Sequence, residues 1–466
     1  MPTKETLADL LSQKRPEDRL ENKFSDFKKP LNHTEAEIEA HRCINCYDAP
    51  CTHACPTSID IPKFIRRIAS GDVTGAAGTI LESNILGLSC AHACPTEVLC
   101  EGVCVLKTLS KTPIMIGRLQ RYAVEQAYEK GTRFFHAGKP TGKHVALVGS
   151  GPASLSCAHE LKRLGHDVTI FEKSSLPGGL NTQGIAPYKM KADVSLREIE
   201  HTASIGLTFE YEKELGKNLS LQELVDKYDA VFLGMGLGAD NSPKIAGLDS
   251  PQIQARTHGV VDFISKLKTK TQKDMEWLQN CHTVIVVGGG NTALDACREL
   301  KALGVPRVIL SYRRSMDEMP GYTHELLHAR QEGVECFFNT LPVRIAMADQ
   351  ALKVTLGKTA TAANGQVTFL PVSQAEEPET LHADIVLLAT GQSTHEKILA
   401  GFPGLKFEKN RLVVNHETGQ TGHLKIFAGG DLTNGGMEVV NAVAEGKKTA
   451  IGIHKAIEGE LSNGAK

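Results

Sequence analysis

Through the first part of the chain apolar residues recur at three- and four-residue spacing, in IPKFIRRIASGD, GAAGTILESN and IGRLQRYAVEQAYEK, and strand patterns are nearly absent. That period lays an apolar stripe along one side of a helix, so residues 1–136 are expected to form a helical unit broken by loops. From Lys143 the pattern changes. KHVALVGSGPASLSCAHELKRLGHDVTIFEK (143–173) runs apolar strand, glycine loop, amphipathic helix, second strand, the opening of a βαβ unit. CHTVIVVGGGNTALDACRELKALGVPRVILSYRRS (281–315) repeats it, so two dinucleotide folds are expected. The tail, from HADIVLLATGQ (382–392) to HLKIFAGGDLTNGGMEVVNAVAEGKKTAIGIHKAI (423–457), supplies two more strands, a glycine turn and a closing helix. LGKTATAANGQVTFLPVSQAEEPETL (356–381) reads as exposed hairpin and loop, and EGELSNGAK as a frayed end.

At 466 residues the chain suggests about three units, at roughly 150 residues each. A net charge of −2 gives no strong field for nucleic acid or a membrane surface. The longest apolar runs are strand-sized, short of the ~18 residues of a membrane span. The N-terminal stretch is too charged for a secretory signal. A soluble, cytoplasmic protein is therefore expected, and there dense cysteine means metal or redox chemistry rather than disulfides.

The first glycine loop, Gly149-Ser150-Gly151-Pro152-Ala153-Ser154, lies between an apolar strand and a helix. Gly149 permits the turn, and Gly151 lets a pyrophosphate approach the helix amides. Ser154 stands where a third glycine often sits. Glu172 ends the second strand, placed to accept both ribose hydroxyls, which suits FAD or NAD. The second loop, Gly288-Gly289-Gly290-Asn291-Thr292-Ala293, has no such acid; its second strand ends in Ser311-Tyr312-Arg313-Arg314. Paired arginines can take a 2′-phosphate, so NADPH is read over NADH, the alternative being two arginines on a solvated strand end. Gly429-Gly430-Asp431 and the residues after it resemble the loop that returns to the flavin in flavoproteins with two dinucleotide domains. That resemblance implies that Asp431 bonds the ribityl chain, and that the helix opening near Val439 and Val440 points its positive end at the flavin. The FAD domain would then comprise 137–280 and 392–466, with an NADPH domain, 281–391, inserted and Thr390-Gly391 at one crossing.

Eight of the twelve cysteines fall between residues 43 and 104. RCINCYDAPCTHACP carries Cys43, Cys46, Cys51 and Cys55; CAHACPTEVLCEGVC carries Cys90, Cys94, Cys100 and Cys104. Two tetrahedral zinc sites are one reading. The close triplet with a distant fourth cysteine, and the proline after Cys55, point instead to two-cluster ferredoxin spacing, in which one run serves both clusters.

The order of cysteine-rich helices, FAD loop, NADPH insertion and FAD tail resembles the glutamate synthase small-subunit family. Within it the chain is most similar to the N-terminal half of dihydropyrimidine dehydrogenase and its separate bacterial flavoprotein subunit. The likeness rests on CINCYDAPCTHACP, NILGLSCAHACPTEVLCEGVC, IGRLQR, VGSGPASLSCA, IFEK with PGGL, and FAGGD, and covers the chain from about residue 40. The implied class is α/β: an all-α iron–sulfur domain, then two Rossmann-like domains, one inserted in the other. The resemblance implies one [4Fe–4S] cluster on Cys43, Cys46, Cys51 and Cys104, and a second on Cys55, Cys94, Cys100 and Gln120, with Cys90 packed as a small apolar residue. It also implies that Gly179, Leu180 and Lys189 lie against FAD. Electrons from NADPH would pass through FAD and the clusters to a partner FMN and iron–sulfur subunit that reduces uracil and thymine to their 5,6-dihydro forms. Such a partner is needed because the chain has no room for a (β/α)8 barrel of ~250 residues.

Gln120 stands where glutamate synthase and transhydrogenase relatives usually carry glutamate, whereas YRRS followed by DEMPGY leans towards those relatives. The competing readings are accordingly a glutamate synthase small subunit, a ferredoxin-linked transhydrogenase subunit, and, from another class, a zinc-stapled nucleotide sensor. His324-Glu325-Leu326-Leu327-His328 spells a zinc-protease signature without a third ligand and is read as coincidence. Cys157, Cys281, Cys297 and Cys336 are isolated and read as buried fillers.

Overall fold

The computed structural model describes residues 19–362, 364–370 and 379–459. Most of the charged N-terminal stretch, part of the 356–381 loop and nearly all of the frayed end lie outside them. The N-terminal unit is helical, as its periodicity requires: α1 (His33–His41), α2 (Ile61–Ala69), α3 (Val73–Ser83), α4 (Gly87–Ala93) and α5 (Ile116–Glu129) carry most of it. Asp60 and Asp72 start α2 and α3 by accepting the N–H groups of Lys63 and Gly75. The apolar stripe of α2, Ile61, Phe64, Ile65 and Ile68, is buried against α3 and α5. Each such side chain contributes roughly 1.5–3 kcal/mol.

β1 (His144–Val148), α6 (Pro152–Arg163), β2 (Asp167–Phe171), α7 (Ala192–Ala203), β3 (Thr208–Glu210) and β4 (Ala230–Leu233) follow. The chain then leaves this sheet. β5 (Thr257–Gly259), α8 (Val260–Thr269), β6 (Thr283–Gly288), α9 (Asn291–Ala302), β7 (Arg307–Tyr312), α10 (Thr323–Gln331) and β8 (Val334–Phe338) build a second sheet. The antiparallel strands β9 (Thr340–Ala348), β10 (Ala351–Thr361), β11 (Val367–Phe369) and β12 (Glu379–Ala383) lead back to it through β13 (Ile385–Ala389). β14 (Ile426–Ala428) rejoins the first sheet, and α11 (Val439–Ile457) packs along α6. The strand orders are β14-β4-β1-β2-β3 and β5-β13-β6-β7-β8, both parallel. The outward and return crossings run side by side: Asn241 N–H donates to Gly391, and Ser393 N–H to Ala239.

Two boundaries differ from those read in the sequence. The second sheet reaches back to Thr257, not to residue 281, because Thr257-His258-Gly259 pairs with β13; three mixed residues give no strand pattern on their own. Leu20 and Phe24 bury themselves among Val260, Phe263 and Leu267 of the second unit instead of joining the helical one.

The helical unit is tied to the first sheet through α4. This helix lacks a side-chain cap of its own. Glu198 of α7 supplies one, accepting the N–H groups of Leu88 (2.6 Å) and Ser89 (2.9 Å) and the Ser89 hydroxyl. Burial pushes the Glu198 carboxyl up from 4.5 to about 7, against the pull of the Ser89 and Leu88 donors. The folded chain thus holds a proton that the unfolded chain releases near 4.5, so this contribution to stability is complete below that pH and lost as pH rises to about 7. Unfolding curves of the parent and of Glu198→Gln are expected to diverge across that window by up to about 3 kcal/mol, the parent losing stability as pH rises. Parallel pH profiles would show that the carboxyl titrates alike in both states.

Candidate functional site

The turn after β1 needs glycine at Gly149, where φ is 91° and a Cβ would lie 2.6 Å from the Gly234 carbonyl oxygen. Gly151 differs: a Cβ there would meet no atom within 4 Å. It faces a cavity of about 430 Å³ lined also by Gly149, Pro152, Ala153, Glu172, Gly179, Leu180, Gly430 and Asp431. The first turn of α6 has no side-chain cap, so its amides are free for an anion. Ser154 is buried against Gly234, whose added Cβ would strike the serine hydroxyl; its small size lets β4 approach α6. Glu172 follows β2 as expected, but its carboxylate is already engaged: the N–H and hydroxyl of Ser150 donate to one oxygen and the N–H of Ser174 to the other, while the Ser174 hydroxyl is shared with the Leu176 carbonyl. A glycine cradle, free helix amides and a carboxylate at the strand end together fit an adenine dinucleotide.

Gly430, with φ at 73°, passes close to α6 and donates its N–H to Glu445. Asp431 accepts the N–H of Met437 at 3.2 Å. Burial pushes its carboxyl up, opposed by that N–H and reinforced by Glu445. Asp431, Pro152 and Leu180 also border a second cavity, of about 650 Å³, so the two spaces adjoin along these residues. Val439 opens α11 on this second cavity with no side-chain cap; Val440 is buried and borders neither cavity.

Across the second cavity stands the other nucleotide unit. Asn291, Thr292 and Gly391 line it. The Asn291 side-chain oxygen accepts the Tyr322 N–H, and Thr390 bonds the Asn241 carbonyl at the crossing. Gly288 packs against Ala389, Gly289 lies on the Tyr312 ring, and a Cβ at Gly290 would meet nothing within 4 Å. No carboxylate closes β7, which ends in Ser311-Tyr312 followed by Arg313 and Arg314; the Ser311 hydroxyl donates to the Thr340 carbonyl. Arg313 is exposed, and Arg314 donates to Gly365 at the hairpin tip. Neither arginine borders the cavity. Lys189 crosses between the units, its ammonium 2.7 Å from Asp295 and 2.8 Å from Glu325.

The cysteines fall into two groups. Cys43, Cys46, Cys51 and Cys104 face one small space walled by Ile61, Ile65, Ile114 and Ile116. Burial pushes the Cys51 thiol up to about 11, with Cys43 and Cys104 adding to it, and Cys43 is raised likewise, chiefly by burial. Cys100 is raised by burial, then by Glu101 and Cys55, and Cys94 by a hydrogen bond with Cys90 and by burial. Half-buried thiols crowded in this way ionise only beside strong positive charge, and they remain unpaired by disulfides. They fit a metal cluster. Gln120 is buried on α5 and donates its amide to the Gly87 carbonyl at 2.6 Å. Cys90, expected as an apolar filler, is buried but bonded to both Asn84 and Cys94.

Cys94 borders the second cavity together with Asp431, Asn291 and Thr292. Beside it the Tyr322 hydroxyl donates to Glu438 at 2.8 Å. Neither Tyr322 nor Glu438 stands out as a site residue in the sequence; Tyr322 ends the run DEMPGY and Glu438 immediately precedes Val439. The HExxH segment holds no metal arrangement: Glu325 pairs with Lys189 and Arg298, His324 stacks on Tyr322, and His328 packs on Phe27. Among the described residues no helix is long and apolar enough to cross a membrane.

Comparison with known proteins agrees with this arrangement. Residues 19–132 match the family model for dihydropyrimidine dehydrogenase domain II, 4Fe-4S cluster, and residues 143–446 that for pyridine nucleotide-disulphide oxidoreductase. The chain is 34% identical over 424 residues, 91% of its length and 95% of the relative's, to the NAD-dependent dihydropyrimidine dehydrogenase subunit PreT of Escherichia coli K12. It is 32% identical over 446 residues, 93% of its length and 94% of the relative's, to the glutamate synthase [NADPH] small chain of the same organism. Among solved structures, FprA of Mycobacterium tuberculosis in complex with NADPH superposes with a TM-score of 0.55 at 20% identity, covering 70% of this chain and 88% of that one. T. acidophilum thioredoxin reductase does so with 0.51 at 16% identity, covering 69% and 100%. These two show the shared fold.

Proposed function

Since this chain belongs to the NAD(P)H-dependent FAD and iron–sulfur oxidoreductase subunits of the PreT and glutamate synthase small-chain type, we propose that it delivers electrons from NADPH, with NADH as a second donor, through two [4Fe–4S] clusters to a partner FMN and iron–sulfur subunit that reduces uracil and thymine. When bound, FAD supplies the conversion of a hydride into single electrons. The observation that carries the reading is Cys94: it borders the same cavity as Asn291 and Thr292 of one nucleotide unit and Val439 of the other. A cluster ligand there stands beside the place where two dinucleotides meet.

The residues divide the work. Gly149, Gly151 and the α6 amides hold the FAD pyrophosphate, Glu172 its ribose, and Asp431 with the start of α11 the far end. Gly179 lines the FAD cavity, and Leu180 lies where the two cavities adjoin. Lys189, Asp295 and Glu325 hold the two units together beside the reacting space. Cys43, Cys46, Cys51 and Cys104 carry one cluster; Cys55, Cys94, Cys100 and the Gln120 oxygen carry the other. The chain acts in the cytoplasm as part of a hetero-oligomer, without nucleic acid or membrane.

A second reading, the NADPH-oxidising subunit of glutamate synthase, is favoured by Arg313 and Arg314 and by the near-equal likeness to that small chain. Anaerobic capture of the tagged chain with its native partner separates the two. Uracil turnover by a captured FMN subunit supports the first; turnover of glutamine with 2-oxoglutarate by a captured amidotransferase overturns it.

Arg313 and Arg314 are the residues we assign to the 2′-phosphate. Replacing both by Ala is expected to raise KM for NADPH at least tenfold, about 1.4 kcal/mol or more, and to leave KM for NADH within about twofold. Equal effects on both would show that the 2′-phosphate is read elsewhere.

A further inference from the structure

The end of α11 away from Val439 brings three ligand-type side chains together, outside both cavities. His166, in the turn between α6 and β2, is fully buried, and its Nε2 lies 2.9 Å from Nδ1 of His454 in the last turn of α11. Glu458, at the helix C-cap, adds an exposed carboxylate. One donor atom from each lies within 4.8 Å of the other two.

The surroundings orient these groups as a metal site requires. The Thr141 hydroxyl oxygen lies 2.8 Å from Nδ1 of His166 and accepts its proton in one of the two ring tautomers. Nε2 of His166 then carries the lone pair, pointed at His454. A ring N–H held by an oxygen, with the opposite nitrogen free, is the support that metal-bound histidines receive. His454 and Glu458 are four residues apart and share one side of the helix end. The C-terminal end of a helix also favours positive charge. The Lys143–Asp229 ion pair also faces His166, and its two charges offset each other.

Size agrees as well. Two nitrogens at the usual ~2.0–2.1 Å from a tetrahedral ion stand about 3.3 Å apart, a few tenths of an ångström beyond the present 2.9 Å. A small turn of the His454 imidazole and loss of one hydrogen bond would admit the ion. Two imidazoles and a carboxylate select a borderline divalent transition metal over magnesium or calcium, which take oxygen ligands.

We propose that His166, His454 and Glu458 bind one divalent transition-metal ion, with zinc as its representative, and that the ion staples the end of α11 to the α6–β2 turn. The staple would clamp the two helices whose opposite ends form the flavin cradle. It is independent of the partner and substrate proposed above.

The test uses the full chain, purified anaerobically with its iron and flavin, stripped of loosely held metal and titrated with zinc chloride near neutral pH. The parent is expected to bind one equivalent and to melt at a higher temperature with zinc. His454→Gln should weaken binding by at least ~100-fold and abolish the melting shift, and the exposed Glu458→Gln should weaken it by at least ~10-fold. Iron and flavin content equal to the parent's would show that each variant is folded and that zinc is not entering cysteine sites. Absence of zinc binding in the parent, or the same affinity in parent and folded variants, would overturn the proposal and leave the pair as a histidine–histidine hydrogen bond.

Discussion

A Gly151→Val protein is expected to fold, to keep its iron, and to be isolated without flavin. Gly151 has φ at −68°, which valine adopts without strain, and an added Cβ meets no protein atom within 4 Å. The new side chain therefore costs the fold little. It stands instead in the cavity before the uncapped amides of α6, where the pyrophosphate must come. Losing two charge-assisted hydrogen bonds at ~1.5–3 kcal/mol each lowers FAD affinity by at least about 100-fold. Flavin released per chain, read beside the far-ultraviolet spectrum and the iron content, measures this. Gly290→Val is the matched control: it also enters open space, so it should keep flavin but slow its bleaching by NADPH. Gly149→Val is not a usable control, because φ at 91° and the Gly234 carbonyl would disturb the turn itself. A Gly151→Val protein with a full complement of flavin would remove this loop from the FAD site.

The second large effect concerns the order of the clusters. Cys94→Ala and Cys43→Ala should each lower iron to about half of the parent's, since each removes a ligand from one of the two clusters proposed above. Their electron transfer should differ. Cys94 borders the cavity shared by the two nucleotide units, whereas Cys43 faces the separate space walled by Ile61, Ile65, Ile114 and Ile116. In Cys43→Ala the surviving cluster is the one beside the cavity, and NADPH should reduce it at a rate near the parent's. In Cys94→Ala the survivor has lost its relay, and its reduction by NADPH should fall by at least tenfold while dithionite still reduces it. Low-temperature electron paramagnetic resonance after each reductant distinguishes the two. Equal reduction of the surviving cluster in both variants would show that the cavity is not the entry point.

Much of this arrangement is legible in short runs of residues. Each glycine loop sits between its own strand and helix in one contiguous stretch, so Gly149–Ser154 and Gly288–Ala293 carry their geometry locally. The helical period of IPKFIRRIASGD likewise shows its buried side in nine residues of α2. The cysteine spacings place eight thiols in one short segment, and the family resemblance sorts them. The positions where fold and sequence pattern disagree have long-range causes. Thr257–Gly259 is a strand only because β13 runs beside it. Leu20 and Phe24 precede the helical unit in sequence yet complete the core of the second nucleotide unit. Cys90 reads as an apolar filler until α4 sets it one turn from Cys94.

What the sequence alone determined, then, are the features written in neighbouring residues: two dinucleotide loops, a helical cysteine unit, a carboxylate after one second strand and arginines after the other. Tertiary structure alone decided how they meet. The Tyr322 hydroxyl reaches Glu438, Lys189 reaches Asp295 and Glu325, Glu198 caps α4, and His166 reaches His454 across separations of about a hundred residues or more. A spacing rule acts through local backbone geometry and fades within a few turns. Contacts of this kind depend instead on which faces of distant elements are buried against each other, and that is set only when the whole chain packs.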